Sequence, residues 1–220
     1  MISSVVLPSN LSYRKILEIQ EKEFNKRIEC RRNGCPLPED IILFAEHAPV
    51  YTLGFHGNLS HLLLTEEELK IKKIEYLKIN RGGDITYHGP GQITVYPILD
   101  LLRLRLGVKD YVWLLEQSVI DTLEVFGIRG GRIEGKTGVW IGRNSLNERK
   151  ISAIGIKCSR HISMHGLALN VSSDLSGFSG IIPCGLPSPV TSVSIEAGKE
   201  IQLEEVRKVL KKNLISVLEG

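Results

Sequence analysis

The chain has 220 residues, of which 42% are hydrophobic and 24% charged, and its formal net charge is +3. These proportions are typical of a globular protein and exclude a disordered or low-complexity chain. Its lysines and arginines are scattered, so the dense basic block that marks nucleic-acid-binding proteins is absent.

The first elements along the chain are predicted to be a helix, a strand and a short helix. Residues 12–28 place apolar side chains on one helical face: Tyr13, Ile16, Leu17, Phe24 and Ile28. The continuous apolar run at 41–46 predicts a buried strand. Thr65 and Glu68 have the spacing of a capping box, which predicts a short helix that extends through Lys73.

The next elements are predicted to be strands on either side of a glycine-rich segment, residues 81–92. Residues 76–80 lead into this segment, and residues 93–99 follow it as another apolar strand. Pro97 is expected to disturb or end that strand, because proline cannot donate a ladder hydrogen bond.

The second half of the chain is predicted to be a long helix, a group of strands and a final helix. The first helix covers residues 109–126, with Gly127 as its stop, and residues 127–132 turn the chain into the strands that follow. The strands begin near 137, 150 and 165, and an amphipathic helix at 203–218 ends the chain. Its apolar face comprises Val206, Leu210, Leu214 and Val217.

The order of these elements predicts the fold class. Helices lie at the start, middle and end, with runs of strands between them, which indicates an α+β protein with a mixed, largely antiparallel sheet flanked by helices. A doubly wound dinucleotide-binding fold would require a more regular alternation. No linker interrupts residues 1–220, so a single domain is expected.

The cellular location is expected to be the cytoplasm. The chain contains no apolar run of the roughly 18 residues that span a bilayer. Its first ten residues also have no basic start and too short an apolar core for a secretory signal. The four cysteines are therefore expected to be thiols. Cys30 and Cys35 alone are a weak zinc signature, because no second pair completes a four-ligand site; no metal is expected.

The glycine-rich segment, RGGDITYHGPGQ, is the first candidate functional site. It has neither the dinucleotide fingerprint nor the Gly-Lys-Ser/Thr of a phosphate loop. A tight loop between strands is the simpler interpretation, but such turns rarely place Arg81, Tyr87 and His88 among four glycines. Bare backbone lets the chain approach a ligand closely and offer N–H donors to a carbonyl oxygen. A ligand-binding role is therefore predicted.

Cys184 and Lys150 are further candidates, each with an alternative that remains open. Most cysteines are small buried apolar residues, but Cys184 lies between Pro183 and Gly185 in IIPCGL, where a thiolate could attack an ester or thioester. Lys150 precedes an apolar strand; such a lysine is usually a solvated charge, although burial would let it exchange protons near neutral pH. His165 and His47 are further titratable groups, each more often structural than catalytic.

Taken together, these segments resemble the lipoyl(octanoyl) transferases. The resemblance starts with Tyr13 and Gln20 and extends over most of the chain. Its motifs are EHAPVYTLG at 46–54, RGGDITYHGPGQ at 81–92, GVWI at 138–141, KISAIG at 150–155, HGLALNVSSDLSGF at 165–178 and IIPCG at 181–185. The glycine-rich block and the late PCG are highly specific in this order.

The resemblance implies a fold shared with lipoate and biotin protein ligases, and it implies site residues. Cys184 and Lys150 correspond to the catalytic pair of the family. The substrate-binding set that it implies is Arg81, Gly82, Gly83, Asp84, Ile85, Thr86, Tyr87, His88, Gly89, Ala153, Ile154, Gly155, His165, Gly166, Leu167 and Ala168.

The function implied by the resemblance is octanoyl transfer to protein lysines. The donor would be octanoyl-acyl carrier protein, and the acceptors would be the lipoyl domains of 2-oxoacid dehydrogenases and the glycine cleavage H protein. No cofactor and no ATP are required, since a thioester is already activated, and a monomer is expected. The rival interpretations are an ATP-using lipoate or biotin ligase, a non-catalytic acyl- or carrier-binding protein, and an amidotransferase that moves octanoyl groups between proteins.

Overall fold

A computed structural model describes residues 2–9, 11–143, 145–182 and 189–220 of the chain. Its strands are β1 (Ile2–Val6), β2 (Asp40–Ala45), β3 (Val50–Leu53), β4 (Glu75–Lys78), β5 (Ile85–His88), β6 (Gln92–Ile98), β7 (Gly131–Ile133), β8 (Lys136–Ile141), β9 (Arg149–Ser159) and β10 (Ile162–Asn170). Its helices are α1 (Tyr13–Asn33), α2 (Glu66–Lys72), α3 (Val108–Val125), α4 (Val193–Ala197) and α5 (Leu203–Glu219). Short 3-10 helices cover Leu59–His61 and Leu175–Gly180.

The main sheet has the order β1-β2-β6-β10-β9-β8-β7 within the described residues. β1 and β2 run parallel, and the other neighbouring strands run antiparallel. The mixed, largely antiparallel sheet expected from the sequence is therefore confirmed.

Both faces of the main sheet are buried, which explains the continuous apolar run of β2. Ile42 and Phe44 belong to the core that α3 and α5 cover, whereas Leu43 and Ala45 belong to the core beneath α1. Successive side chains of a strand point to opposite faces, so a strand covered on both sides must be apolar at every position. Fully burying an aliphatic or aromatic side chain of this size contributes about 1.5–3 kcal/mol.

A second, smaller sheet carries the glycine-rich segment. It has the order β4-β3-β5, with β3 parallel to β4 and antiparallel to β5. The sequence did not predict β3 or β5, because four-residue strands next to glycine and proline show little periodicity. The first four residues of the glycine-rich segment, 81–84, precede β5, and its last residue opens β6.

Helix boundaries follow local capping chemistry more closely than apolar periodicity. α1 begins after Ser12, whose hydroxyl accepts from the Lys15 N–H, and continues five residues beyond the predicted end at 28. It ends at Gly34, whose φ of 68° is in the left-handed region that favours glycine. The capping box of Thr65 and Glu68 is confirmed, with both reciprocal hydrogen bonds present.

Pro97 disturbs its strand but does not end it, so only one of the two predicted outcomes is correct. It lies within β6 and pairs with Ile42 of β2. On the other side of β6, pairing with β10 stops at Val95. It resumes at Leu99, whose carbonyl accepts from Ser163. Proline has no N–H to donate. The ladder between β6 and β10 is therefore interrupted between Val95 and Leu99, whereas the ladder between β6 and β2 continues.

Candidate active site

A cavity of about 530 Å³ lies where the glycine-rich segment meets β9 and β10. Most of the predicted site residues line it: Arg81, Gly82, Gly83, Asp84, Ile85, Thr86, His88, Lys150, Ala153, Ile154, Gly155, His165, Gly166, Leu167 and Ala168. These residues come from three separate parts of the chain, so the fold brings the motifs of the sequence together at one cavity.

Two members of the predicted binding set, Tyr87 and Gly89, do not line this cavity. Side chains alternate along β5, and Tyr87 points away from the cavity, with its ring centroid 5.5 Å from those of Tyr51 and Phe178. Gly89 is beside that tyrosine, because a Cβ at Gly89 would lie 2.4 Å from the Tyr87 hydroxyl oxygen. Both residues support the glycine-rich segment on the side that faces away from the cavity.

The cavity also has lining residues that were not among the individual site residues predicted from the sequence. These are Tyr13, Gln92, Tyr96, Val112, Gly135, Lys136, Thr137, Trp140, Ile156, Asn170, Phe178 and Val190. Five of them stand in motifs that carry the resemblance, which is the signal that could have identified them: Tyr13, Gln92, Trp140, Asn170 and Phe178. Val112 and Gly135 had no such signal, because only tertiary folding brings α3 and the β7–β8 turn to the cavity.

Close backbone contact explains two of the glycines. The Gly82 N–H donates to the Ile156 carbonyl over 2.8 Å, so the glycine-rich segment rests directly on β9. A Cβ at Gly155 would lie 2.7 Å from the Gly82 carbonyl oxygen, closer than real Cβ contacts occur. A side chain at Gly155 would therefore push the two backbones apart. Gly83 adds a φ of 83°, which glycine adopts without strain.

Lys150 lies near the start of β9 and is held by backbone and side-chain contacts. Its N–H donates to the Pro189 carbonyl over 2.8 Å, and its carbonyl accepts from the Thr191 N–H over 2.9 Å. Its ammonium nitrogen is 4.6 Å from the centre of the Trp140 ring, within the range of a cation–π contact. Cys184, the other residue of the predicted catalytic pair, lies outside the described residues.

Arg81 is buried and ties the glycine-rich segment to β3 of the smaller sheet. Its guanidinium donates to the carbonyl and the hydroxyl of Thr52 over 2.5 and 2.9 Å, and to the Gly82 carbonyl over 2.9 Å. Its positive charge lies in the same low-dielectric environment as the site histidines. The arginine therefore fixes the start of the glycine-rich segment and influences the protonation of its neighbours.

The two histidines of the cavity are neutral. Burial, and secondarily the charge of Arg81, lowers the pKa of His88 to about 4 against the opposing effect of its hydrogen bond with Gln92. Burial, then Arg81, Lys157 and His88, lowers the pKa of His165 to about 3. Each ring therefore keeps one N–H and one lone pair at neutral pH, so neither carries a positive charge there.

A buried chain of hydrogen bonds connects His88 to the residues that follow Cys184. The His88 Nδ1 is 2.7 Å from the Gln92 Oε1, and the Gln92 amide donates to the Asn170 Oδ1 over 2.9 Å. The Asn170 amide in turn donates to the Thr191 carbonyl over 3.0 Å. Because the Gln92 oxygen must accept in this arrangement, the network assigns the proton of His88 to Nδ1.

Tyr13 and Tyr96 form a polar end of the cavity over the buried His47. The His47 Nε2 is 2.5 Å from the Tyr96 hydroxyl oxygen, and the Tyr13 ring stacks on His88 with a centroid distance of 5.8 Å. Burial raises the pKa of Tyr13 to about 12 and the pKa of Tyr96 well above its usual range. Burial, and to a lesser extent the proximity of the His88 ring, lowers the pKa of His47 well below its ordinary value.

Nothing in the described part of the chain forms a metal site or a membrane span. No group of three or more His, Cys, Asp or Glu side chains there is arranged to hold a metal ion. Cys30, Cys35 and Cys158 are free thiols. Across the same residues, no helix combines the length and the apolar character needed to cross a bilayer.

Comparison with known proteins decides the family. Residues 12–215 match the model of the lipoyl protein ligase A/B catalytic domain. The octanoyltransferase of Flavobacterium johnsoniae is 46% identical over 96% of this chain and 94% of its own length. That of Christiangramia forsetii is 48% identical over 91% of this chain and 89% of its own. The chain belongs to the octanoyltransferases of this family.

Solved structures show that the octanoyltransferase fold of this chain is shared with ligases. A lipoate-protein ligase A bound with ATP has a TM-score of 0.72 at 15% identity and covers 99% of this chain and 86% of its own. The biotin protein ligase of Aquifex aeolicus has a TM-score of 0.53 at 14% identity, over 99% of this chain and 70% of its own. The predicted likeness to lipoate and biotin ligases is thus confirmed for the fold, and membership of the octanoyltransferases makes the chain an acyltransferase enzyme.

Proposed function

We propose that this octanoyltransferase moves an octanoyl group from octanoyl-acyl carrier protein to the lysine of a lipoyl domain, through a thioester on Cys184. The observation that carries this proposal is the position of Lys150. It lines the cavity, and its backbone is hydrogen-bonded to Pro189 and Thr191, which follow the Cys184 segment (residues 183–188). Phe178, before the segment, and Val190, after it, also line the cavity.

The cavity suits an acyl chain. Ile154, Gly155, Leu167 and Ala168 provide apolar lining, and the neutral His88 and His165 add no charge. Burying about six methylene groups at about 0.8 kcal/mol each contributes about 5 kcal/mol to binding. Each methylene changes specificity by only about 10–200-fold, so a closed cavity end is required to select one chain length.

The first half-reaction forms the acyl-enzyme. Lys150, as the free amine, accepts the proton of the Cys184 thiol, and the thiolate attacks the thioester carbonyl carbon. The tetrahedral intermediate collapses with cleavage of the bond between this carbon and the carrier sulfur. The carrier thiolate takes the proton from Lys150, so octanoyl-Cys184 and the free carrier thiol are the products.

The second half-reaction transfers the chain to nitrogen. The amine of the acceptor lysine attacks the carbonyl carbon of octanoyl-Cys184, and Lys150 removes a proton from that nitrogen. The bond to the Cys184 sulfur breaks, the proton passes to this sulfur, and an amide is released. Backbone N–H groups near the reacting carbonyl would stabilise its oxyanion; losing one such donor typically costs about 3–4 kcal/mol of barrier.

Intact-mass spectrometry after mixing with octanoyl-carrier protein in the absence of ATP tests this proposal. The expected result is a mass increase of one octanoyl group, located on the peptide that contains Cys184. Cys184→Ser should abolish the increase, whereas Cys158→Ser, the matched removal of a free thiol elsewhere, should retain it. Lys150→Ala should slow both half-reactions by about 100-fold or more, since general-base assistance contributes about 10²–10⁴-fold.

Three outcomes would contradict the proposal. Transfer that requires ATP and free octanoate would indicate a ligase of the same fold. Tight binding of the donor without any covalent adduct would indicate a binding protein. Full-speed half-reactions in Lys150→Ala would remove this amine from the mechanism.

A further inference from the structure

Residues 58–61 surround the side chain of Asp84 at the edge of the cavity. The Asn58 N–H donates to the Asp84 Oδ1 over 3.1 Å, and the His61 Nδ1 is 2.5 Å from the Asp84 Oδ2. Asp84 itself lines the cavity, and both side chains are mostly buried, His61 being 23% and Asp84 14% exposed. The turn at residues 58–61 thus contacts both carboxylate oxygens of Asp84, a residue that lines the cavity.

The same turn also holds the chain just before the Cys184 segment. The Ile182 N–H donates to the His61 carbonyl over 2.8 Å, and Leu62 forms an antiparallel bridge with Ile181. The Leu63 N–H donates to the Gly180 carbonyl over 2.9 Å. His61 is therefore the junction: its ring contacts the cavity lining, and its carbonyl holds the residue two positions before Cys184.

The other end of the Cys184 segment is attached to the cavity independently. Pro189 and Thr191 are hydrogen-bonded to the backbone of Lys150, the proposed proton carrier. Both attachments are made by backbone hydrogen bonds. At Ile182, however, the residue that accepts the bond, His61, is also held through its side chain, by the contact with Asp84.

We propose that His61 is a positioning residue for the nucleophile of this enzyme. Its contact with Asp84 sets the position of Ile182 relative to the cavity and thereby the approach of the Cys184 sulfur to the acyl carbonyl. This inference rests on the proposed function, in which Cys184 is the nucleophile. In this scheme His61 is assigned no proton transfer and acts only through the chain that it holds, since its Nδ1 contacts Asp84.

The rate of bond formation depends more steeply on the distance between the reacting atoms than the affinity for the substrate does. A displacement of about 1 Å caused by a change remote from the chemistry can slow a reaction about 100-fold. The apolar lining of the cavity, Ile154, Gly155, Leu167 and Ala168, comes from β9 and β10 and not from the turn that contains His61. Loss of the contact should therefore slow acylation and leave the affinity for the octanoyl chain unchanged.

The test measures the first-order rate of octanoyl-Cys184 formation at saturating octanoyl-carrier protein, by quench-flow and intact mass, in the full chain. His61→Ala and His61→Gln should be about 10- to 100-fold slower than wild type. His61→Asn should form octanoyl-Cys184 at a rate within about threefold of wild type, because the amide nitrogen of asparagine takes the place of the histidine Nδ1. The amide nitrogen of glutamine takes the place of Nε2 instead, which does not contact Asp84. Ser60→Ala, in the same turn with an exposed side chain, should match wild type.

A double-substitution cycle with Asp84→Ala separates positioning from a general loss of structure. If the two residues act through their contact, the double variant should be no slower than the slower single variant. The dissociation constant for free octanoate should stay within about twofold of wild type in His61→Ala. Multiplicative effects in the cycle, or an asparagine variant as slow as alanine, would overturn the inference.

The outcomes also separate this inference from the proposed function. A wild-type enzyme that forms no octanoyl-Cys184 contradicts both. A wild-type enzyme that forms it, with His61→Ala equally fast, contradicts only the role of His61 and leaves the thioester mechanism intact.

Discussion

At the scale of single residues, the site depends on histidine rings that are kept neutral in the folded protein. His88, His165 and His47 are buried beside one another or near the fixed charge of Arg81. Removing a cationic ring from water and placing it near another positive charge both disfavour its protonated form. These histidines therefore serve as hydrogen-bonding groups at neutral pH, and their protonation opposes folding.

Protein stability is expected to fall as the pH decreases from 7.5 to 5. The unfolded chain takes up protons on these histidines below about 6.5, whereas the folded chain does not until about 4 for His88 and about 3 for His165. The unfolded state thus binds more protons in this window, which lowers the free energy of unfolding. Each of the two histidines should contribute about 2 kcal/mol to the decrease at pH 5, measurable by urea unfolding.

Matched asparagine substitutions isolate one of these histidines. His165 and His161 both have left-handed backbone, with φ of 58° and 64°, which asparagine tolerates well, but only His165 is buried. His165→Asn should reduce the loss of stability between pH 7.5 and 5 by about 2 kcal/mol. His161→Asn should keep the full loss. An unchanged pH dependence in His165→Asn would contradict this explanation.

At the scale of secondary-structure elements, the break between β6 and β10 defines one side of the cavity. Pro97 removes a ladder donor, and His165, on the neighbouring strand, has positive φ. A local break of this kind changes the direction of side chains relative to a regular strand. β6 and β10 thus lack backbone pairing at the place where His165 and Gly166 line the cavity.

Gly166→Ala should destabilise the protein, because the break leaves no room for a side chain. A Cβ at this position would lie 2.2 Å from the Val95 carbonyl oxygen and 2.7 Å from the Pro97 Cδ. Forcing such an overlap typically costs about 1–3 kcal/mol, which chemical denaturation would detect.

Gly131→Ala provides the control in another strand. The nearest atom to its Cβ would be the Arg143 Cδ at 3.6 Å, an ordinary contact. This variant should stay within about 0.5 kcal/mol of wild type. Equal stability of the two variants would show that β10 can move away from β6 at the break.

At the scale of the whole molecule, the cavity exists because two sheets meet. The smaller sheet contributes the glycine-rich segment, and the main sheet contributes β9 and β10. Direct backbone contact at Gly82 and Ile156 joins them. The cavity is therefore a property of the assembled fold, and a ligand that fills it should stabilise that fold.

Free octanoate is expected to raise the melting temperature. At about 100 times its dissociation constant, a ligand adds about 2.7 kcal/mol, which corresponds to about 5–10 °C in a protein of this size. Butanoate, with four fewer methylene groups to bury, should bind about 3 kcal/mol more weakly and give a much smaller shift at the same concentration. Differential scanning fluorimetry provides the measurement.

Filling the cavity should remove this effect. Ala153 lines the cavity, so Ala153→Leu places additional methylene groups where the acyl chain would lie. The variant should lose the shift caused by octanoate. Ala48→Leu, on the exposed surface, should retain it. A full shift in Ala153→Leu would mean that octanoate binds elsewhere.

The regular elements were predictable because their signals are local. The helices at 109–126 and 203–218 agree with α3 and α5 to within one residue at each end, since a long amphipathic stretch determines its own periodicity. The end of α1 and the continuation of β6 through Pro97 were less accessible. The first depends on a left-handed glycine, and the second depends on which strand faces the proline.

The sequence by itself determined the fold class, the family and the motifs of the site, because composition, periodicity and short specific motifs are local properties of the chain. Only the tertiary structure decided which of those motifs share a cavity, that Tyr87 faces away from it, and that His61 connects Asp84 to Ile182. Contacts between residues far apart in sequence depend on the registry of strands and on backbone approach. Neither leaves a periodic signal that one segment can carry.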